Sequence, residues 1–245
     1  MDLQQGRPRD GRRSWLKPVV QGLAVGAIGL AAIVPAFGPG GWLSTPAAAM
    51  NSSSIRPPPD REALGWNVLD PAVLRVASWV VGSEDHRRHP FFIVDKTGAR
   101  LHAFDADGKL ISMTPVLIGA ARGDDSAPGI GDRALDHILP AERTTPAGRF
   151  LSELGSNSLG EEVVWVDHGA AVSMHAVRAL VASERRHERI ASPGVDDNRI
   201  SFGCINVPAA FFEGFVKPAF TRTRAFVYVM PDTKRLEEVF PGFPG

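Results

Sequence analysis

Cysteine is almost missing from this chain: Cys204 is the only one in 245 residues. A lone thiol forms no intrachain bridge, which excludes a fold stapled by disulfides. Three roles remain open for it: an inert buried residue, an intermolecular partner, or a reactive thiol. A basic stripe interleaved with aromatic residues is also lacking, and with 27 Lys and Arg against 27 Asp and Glu nothing argues for a nucleic-acid partner. There is no glycine-rich phosphate loop after a strand and no internal repeat. His86 and His89, in HRRHP, have no acidic or cysteine ligand at the usual spacing, so no metal is expected. What is present, 44% apolar and 22% charged residues, is ordinary globular material.

The N-terminus is organised differently. Arg7, Arg9, Arg12, Arg13 and Lys17 precede an apolar stretch from Val19 to about Phe37, and small residues then end in Ala47-Ala48-Ala49. That order reads as an export signal over residues 1–49, with Arg12-Arg13 resembling the twin-arginine type; the rival reading is an uncleaved membrane anchor. Either way the remainder is expected to work outside the cytoplasm, in the periplasm or cell envelope. Five basic and two acidic residues leave with the signal, so 22 basic and 25 acidic remain and the exported part carries a formal charge of −3.

A Pro/Ser-rich linker is expected over residues 50–59 and a helical lead-in over 60–89, where Asp70 as N-cap and Pro71 at the first position start a short helix. From residue 90 to 231 the pattern turns to strands. FFIVD, RLHAFD and KLISMTPVLIG, joined by the turns KTG and ADG, predict three antiparallel strands, the third at an edge or bulged because of Pro115. Residues 119–148 form a loop too long to be an idle turn. RFLSEL, EVVWVD and AAVSMH follow as strands, a helix is expected from about Val177 to Arg189 and another from Pro208 to Phe220, and RAFVYVM closes the domain ahead of a tail at 232–245. The expected class is mainly β with a few helices, a sandwich or barrel-like fold without parallel βαβ order.

Asn206 is a favoured N-cap and Pro208 a favoured early helical residue, which predicts Cys204 just ahead of a helix N-terminus where thiolate is favoured. Gly203 allows close approach of a substrate to the backbone, and its amide, with that of Cys204, is a candidate oxyanion donor. A thiol nucleophile needs a proton acceptor. Of seven histidines, His175 stands out because it ends the apolar run AAVSMH at a sheet boundary. A buried, inert cysteine and a structural histidine remain the alternative on these grounds.

FFIVDKTGARLHAFDADGKLISMTPVLIG, RTTPAGRF, SMH and SFGCIN, in that order, resemble the L,D-transpeptidase (YkuD-type) catalytic domain over roughly residues 90–231. The resemblance implies a cofactor-free cysteine acyltransferase acting on peptidoglycan stem peptides. It implies Cys204 as nucleophile, His175 as general base and acid oriented by the carbonyl of Ala176 or a neighbour, and release of D-alanine with transfer to an amine. Alternatives are an L,D-carboxypeptidase using water, or a non-catalytic murein-binding module. Ser201 and Asn206 are candidate substrate contacts; Ser201 as a turn former and Asn206 as an N-cap are the competing roles. Thr145, Pro146 and Gly148 are expected to shape a loop beside the cleft, and Arg143 and Arg149 either to meet a stem carboxylate or to lie on the surface. Two departures from the family pattern stand out: Phe202 occupies the place of a histidine before Gly203-Cys204, and the segment ASERRHERIASPGVDDN is longer than usual, either a flap or a solvated loop.

Overall fold

The computed structural model describes residues 59–245. The signal or anchor expected over 1–49, and all but the last residue of the 50–59 linker, lie outside the described residues. No helix among the described residues is long and apolar enough to cross a membrane.

Helix α1 spans Pro71–Gly82. Asp70 caps it by accepting the Ala72 N–H at 2.9 Å, Pro71 supplies a preset φ, and Val73, Val76, Ala77 and Val80 form the buried face. Strands β1 (Phe91–Asp95), β2 (Arg100–Phe104) and β3 (Leu110–Pro115) make the antiparallel meander. Beyond Pro115 the third predicted strand breaks, and Ile118–Gly119 forms a separate short strand, β4. β5 (Gly148–Ser156), β6 (Glu162–Asp167) and β7 (Val172–Ala176) follow, then α2 (Arg186–Ala191), β8 (Arg199–Ser201) and β9 (Ile205–Val207). α3 (Ala209–Phe211), a π-helical turn (Phe212–Val216) and α4 (Lys217–Thr221) lead to β10 (Ala225–Val229), and α5 (Leu236–Val239) lies near the C-terminus.

The main sheet has eight strands in the order β3-β2-β1-β10-β5-β6-β7-β9, and β4 pairs with β8 in a second sheet. β3 is the edge strand, as Pro115 demands. Leu101 of β2 and Ile205 of β9, near opposite ends of the order, share one core cluster with Phe92, Val164, Met174 and Val227. The sheet therefore curls around its own core, the barrel-like form of a mainly β fold. A second cluster fills the other face of β1 and β10, where Phe91, Ile93, Phe226 and Tyr228 meet α1. Strands apolar on both faces, such as FFIVD and AFVYV, result from being packed from both sides.

Three features differ from the sequence reading. Parallel pairing is present: β1 with β10, β4 with β8, and β7 with β9, the last across a connection that carries α2. Pairing between distant segments leaves no local pattern to read. The helix expected over 177–189 is a short 3-10 turn followed by α2, because Arg185 adopts φ 49°, a left-handed conformation that interrupts a continuous helix. Residues 232–245 are packed rather than a loose tail: Phe240 stacks on Trp79 at 5.7 Å, and the Trp79 indole N–H donates to Gly242 O at 3.0 Å.

Candidate active site

The alternation of VSMHA and CINV builds the site. On β7, Val172 and Met174 point into the core while Ser173 and His175 point to the opposite face; on β9, Ile205 and Val207 enter the core and Asn206 shares the face of His175. β7 and β9 are parallel neighbours with His175 opposite Asn206 and Met174 opposite Ile205. One step further along, Cys204 falls opposite Ser173. Side chains confirm the register: Ser173 Oγ lies 3.6 Å from Cys204 Sγ, and Asn206 Nδ2 lies 3.4 Å from His175 Nε2. The result is a square of Ser173, His175, Cys204 and Asn206, with thiol and imidazole on its diagonal and no hydrogen bond joining them directly. His175, Cys204 and Asn206 line one open cleft of ≈ 320 Å³.

His175 Nδ1 is 2.8 Å from Ala176 O. A carbonyl only accepts, so Nδ1 carries the proton and Nε2 presents a lone pair. Burial pushes the His175 pKa down; the bond to Ala176 opposes this, while the charges of Arg178 and Arg186 lower it further. The lowered pKa favours the neutral imidazole, in the tautomer whose Nε2 lone pair accepts from the Asn206 amide.

The helix expected immediately after Cys204 is absent there. β9 intervenes, Asn206 is a fully buried strand residue rather than an N-cap, and Pro208 precedes the three residues of α3. No helix dipole acts on the thiol. Asn206 Oδ1 accepts from Arg186 Nη1 at 2.5 Å, and its Nδ2 also donates to Cys204 O at 3.3 Å, so the amide is spent on the site itself. Ser201 behaves likewise. Its Oγ donates to Cys204 O at 2.6 Å and accepts the Gly203 N–H at 3.1 Å, closing the nucleophile turn from within. That bond also removes the Gly203 amide as an oxyanion donor, contrary to expectation. The Cys204 N–H, by contrast, has no acceptor among the described residues.

Gly203 is required by backbone geometry: φ is 134°, and a Cβ there would come within 2.7 Å of Thr144 O. The adjoining loop is pinned from beneath. Lys96, its side chain fully buried, donates from Nζ to Gly123 O (2.6 Å), Asp124 Oδ1 (2.8 Å) and Thr145 O (2.9 Å). Thr145 Oγ1 then donates to Gly203 O at 2.8 Å while accepting the Gly119 N–H at 2.8 Å. A chain of bonds thus runs from β1 through the threonine of RTTPAG to the residue beside the thiol.

The remaining candidates separate clearly. Phe202 lines the cleft, and Arg143 lies over its ring, 4.1 Å from the centroid. Arg149 is far from this chemistry, paired with Asp85 and lying over Phe226. His86 is buried, with Nδ1 and Nε2 against Val80 O and Ala106 O, and His89 meets Thr223 Oγ1, so the two histidines of HRRHP serve separate structural contacts. The long insertion contributes Glu184 and Arg186 to the cleft, with Leu180 and Val181 just before it on the rim, so this segment is a flap. Ser173 was missed by reasoning from the histidine alone, although two-residue periodicity places it on the same face. Arg186 carries no sequence signal, because only the folded flap brings it to Asn206.

No family model matches this chain, and no curated protein matches it. Among solved structures it is similar to an L,D-transpeptidase from Xylanimonas cellulosilytica, with 16% identity over 58% of this chain and 60% of that one and a TM-score of 0.35. It is similar also to an L,D-transpeptidase from Mycobacterium smegmatis, with 16% identity over 58% of each chain and a TM-score of 0.31. A third is the helical cell shape determining protein Pgp2 from Campylobacter jejuni, with 15% identity over 60% of this chain and 48% of that one and a TM-score of 0.39. The match spans less than two thirds of the length of each of these structures.

Proposed function

We propose that this protein is an exported cysteine acyltransferase of the cell envelope that acts on peptidoglycan stem peptides. The observation that supports the reading is the square on β7 and β9, in which a solvent-reachable thiol and an imidazole with an unprotonated Nε2, held only by a long bond from Asn206, share one face of one cleft. The motif resemblance supplies the substrate class. In the proposed reaction, rotation of the Cys204 side chain moves Sγ from Ser173 toward His175, whose Nε2 takes the thiol proton. Sulfur attacks the carbonyl before the terminal D-alanine, and the oxyanion is met by the unpaired Cys204 N–H. The C–N bond breaks as His175 returns the proton to the departing amine. An amine of a second stem then attacks the thioester, loses its proton to His175 and regenerates the thiol.

Incubation of the mature domain with purified disaccharide-tetrapeptide, followed by mass spectrometry, tests this against Cys204→Ala. Cross-linked dimer plus free D-alanine, made only with Cys204 present, supports transfer. Tripeptide without dimer replaces transfer by hydrolysis, and unaltered substrate held equally by both proteins replaces the enzyme by a murein-binding module.

A further inference from the structure

The cleft carries two arginines, with Glu184 beside them, that acyl transfer itself does not use. Arg178 and Arg186 both line it, the second delivered by the flap between β7 and β8. Arg178 is paired with Glu161. Arg186 is held more firmly: Nε donates to Glu184 at 2.6 Å and Nη1 to Asn206 Oδ1 at 2.5 Å, and its side chain is only 14% exposed. Nη2 has no hydrogen-bond partner among the described residues. Two fixed bonds therefore immobilise the guanidinium plane while Nη2 remains unspent, a charged donor for one carboxylate oxygen. Leu180, Val181 and Leu135 rim the same cleft with apolar surface, which strengthens any charge pairing formed inside.

Position selects which carboxylate. Asn206 stands between Arg186 and His175, touching both. The amine expelled by Cys204 has to lie against His175 to receive its proton, and the α-carboxylate of the same leaving residue is two bonds from that nitrogen. With Asn206 bridging the two side chains, Arg186 is the cation next to His175 in the cleft and the candidate partner for this carboxylate. We propose that Arg186 is a specificity-determining residue that binds the terminal carboxylate of the donor through Nη2 and so favours donors in which that carboxylate is free. The inference rests on the acyl-transfer reading for its orientation of the donor.

Binding is the test, measured by calorimetry on the Cys204→Ala protein so that no turnover intrudes. Two probes are compared: a disaccharide-tetrapeptide ending in a free D-alanine carboxylate, and the same compound as its C-terminal carboxamide. The acid is expected to bind roughly 10–100-fold more tightly, the range for a hydrogen bond to a charged group. Adding Arg186→Ala should erase that preference by weakening the acid alone, Arg186→Lys should restore part of it, and Arg189→Ala, which loosens the flap through its bonds to Glu184 O and Asp197 O, should keep it. The proposal is overturned by equal affinity for both probes, by a preference that survives Arg186→Ala, by equal weakening of both probes, or by failure to bind either. Turnover by the unsubstituted protein reports separately: product without acid preference removes the anchor and keeps the chemistry, whereas acid preference without product removes the chemistry and keeps the anchor.

Discussion

Ser173 Oγ stands 3.6 Å from Cys204 Sγ because the two residues are cross-strand neighbours, one step along the parallel register of β7 and β9. His175 is the next residue on the same face, and it faces Asn206 in the same way. The Cys204 thiol thus sits against a hydroxyl rather than an imidazole.

Ser173→Ala removes that contact without emptying much volume. Loss of a hydrogen bond worth about 1 kcal/mol corresponds to roughly a fivefold change, so alkylation of Cys204 by iodoacetamide should change about that much in rate while the melting temperature stays nearly constant. Ser173→Thr, which keeps the hydroxyl, should stay near the original rate. An alanine variant indistinguishable in thiol reactivity would show that the contact is incidental.

The pH dependence follows from His175. Burial holds its pKa below the ordinary 6.5, and the positive charges of Arg178 and Arg186 act in the same direction while Glu161 opposes them. A base with a lowered pKa is already neutral at pH 7, so the acid limb of the acyl-transfer rate should fall below pH 6.5. Arg178→Ala removes a charge that disfavours imidazolium and should move the limb up; Glu161→Gln should move it down. Titration of the His175 Cε1 proton by NMR measures the same shifts without any substrate.

Thr145→Val is isosteric and deletes both bonds of the hydroxyl, leaving the Gly119 N–H and the Gly203 carbonyl buried without their partner. Each orphaned group costs roughly 1–3 kcal/mol, so calorimetric unfolding should show a drop of several degrees. Gly203→Ala should do at least as much damage, since its Cβ meets Thr144 O at 2.7 Å and its φ of 134° suits only glycine. A Thr145→Ser variant retains the hydroxyl and should stay close to the original stability.

Local chemistry was legible and long-range pairing was not. FFIVD, EVVWVD and the Asp70-Pro71 helix start are written in a continuous apolar run, a β-branched run and an N-cap, all of which act within a few residues. Cys204 and His175 could be singled out because a thiol and an imidazole are the residue types nucleophilic catalysis needs, and the fold brings both to one cleft. Asn206 was misread for a physical reason: followed by Val207 and Pro208 it satisfies the rule for a helix N-cap, yet pairing with β7 extends the chain as β9 and turns the same amide toward His175. Gly203 was assigned a free amide because sequence gives no sign that Ser201 Oγ folds back on it. Arg186 and Lys96 lie beyond sequence reading altogether, since their partners are 20, 28 and 49 residues distant.

Lys96 and Asp124 make the last prediction. Their side chains are 0% and 1% exposed, and their ions sit in a closed set with Asp232, Arg199 and the Thr145 carbonyl that supports the loop under Gly203. Burial alone pushes the Asp124 carboxyl up, but the bonds from Lys96, Thr233, Asp232 and Lys234 outweigh it and hold the group well below its ordinary value of 3.8. A depressed folded-state pKa contributes stability that is complete above the unfolded value and is lost as pH falls through the folded one. Denaturation followed from pH 7 downward should therefore show this contribution intact until about pH 4 and declining below it. Asp124→Asn strips one charge and leaves Lys96 facing a neutral amide, a break in a buried pair that costs about 3–5 kcal/mol; its stability should also be less steeply dependent on pH in the acid range. Lys96→Met with Asp124→Leu removes both charges together and should recover much of the loss if the cost is that of an unpaired ion. Should the double variant remain as unstable as Asp124→Asn, the hydrogen bonds it deletes, from Lys96 to the Gly123 and Thr145 carbonyls and from Asp232, Thr233 and Lys234 to Asp124, rather than charge pairing, are what hold the loop.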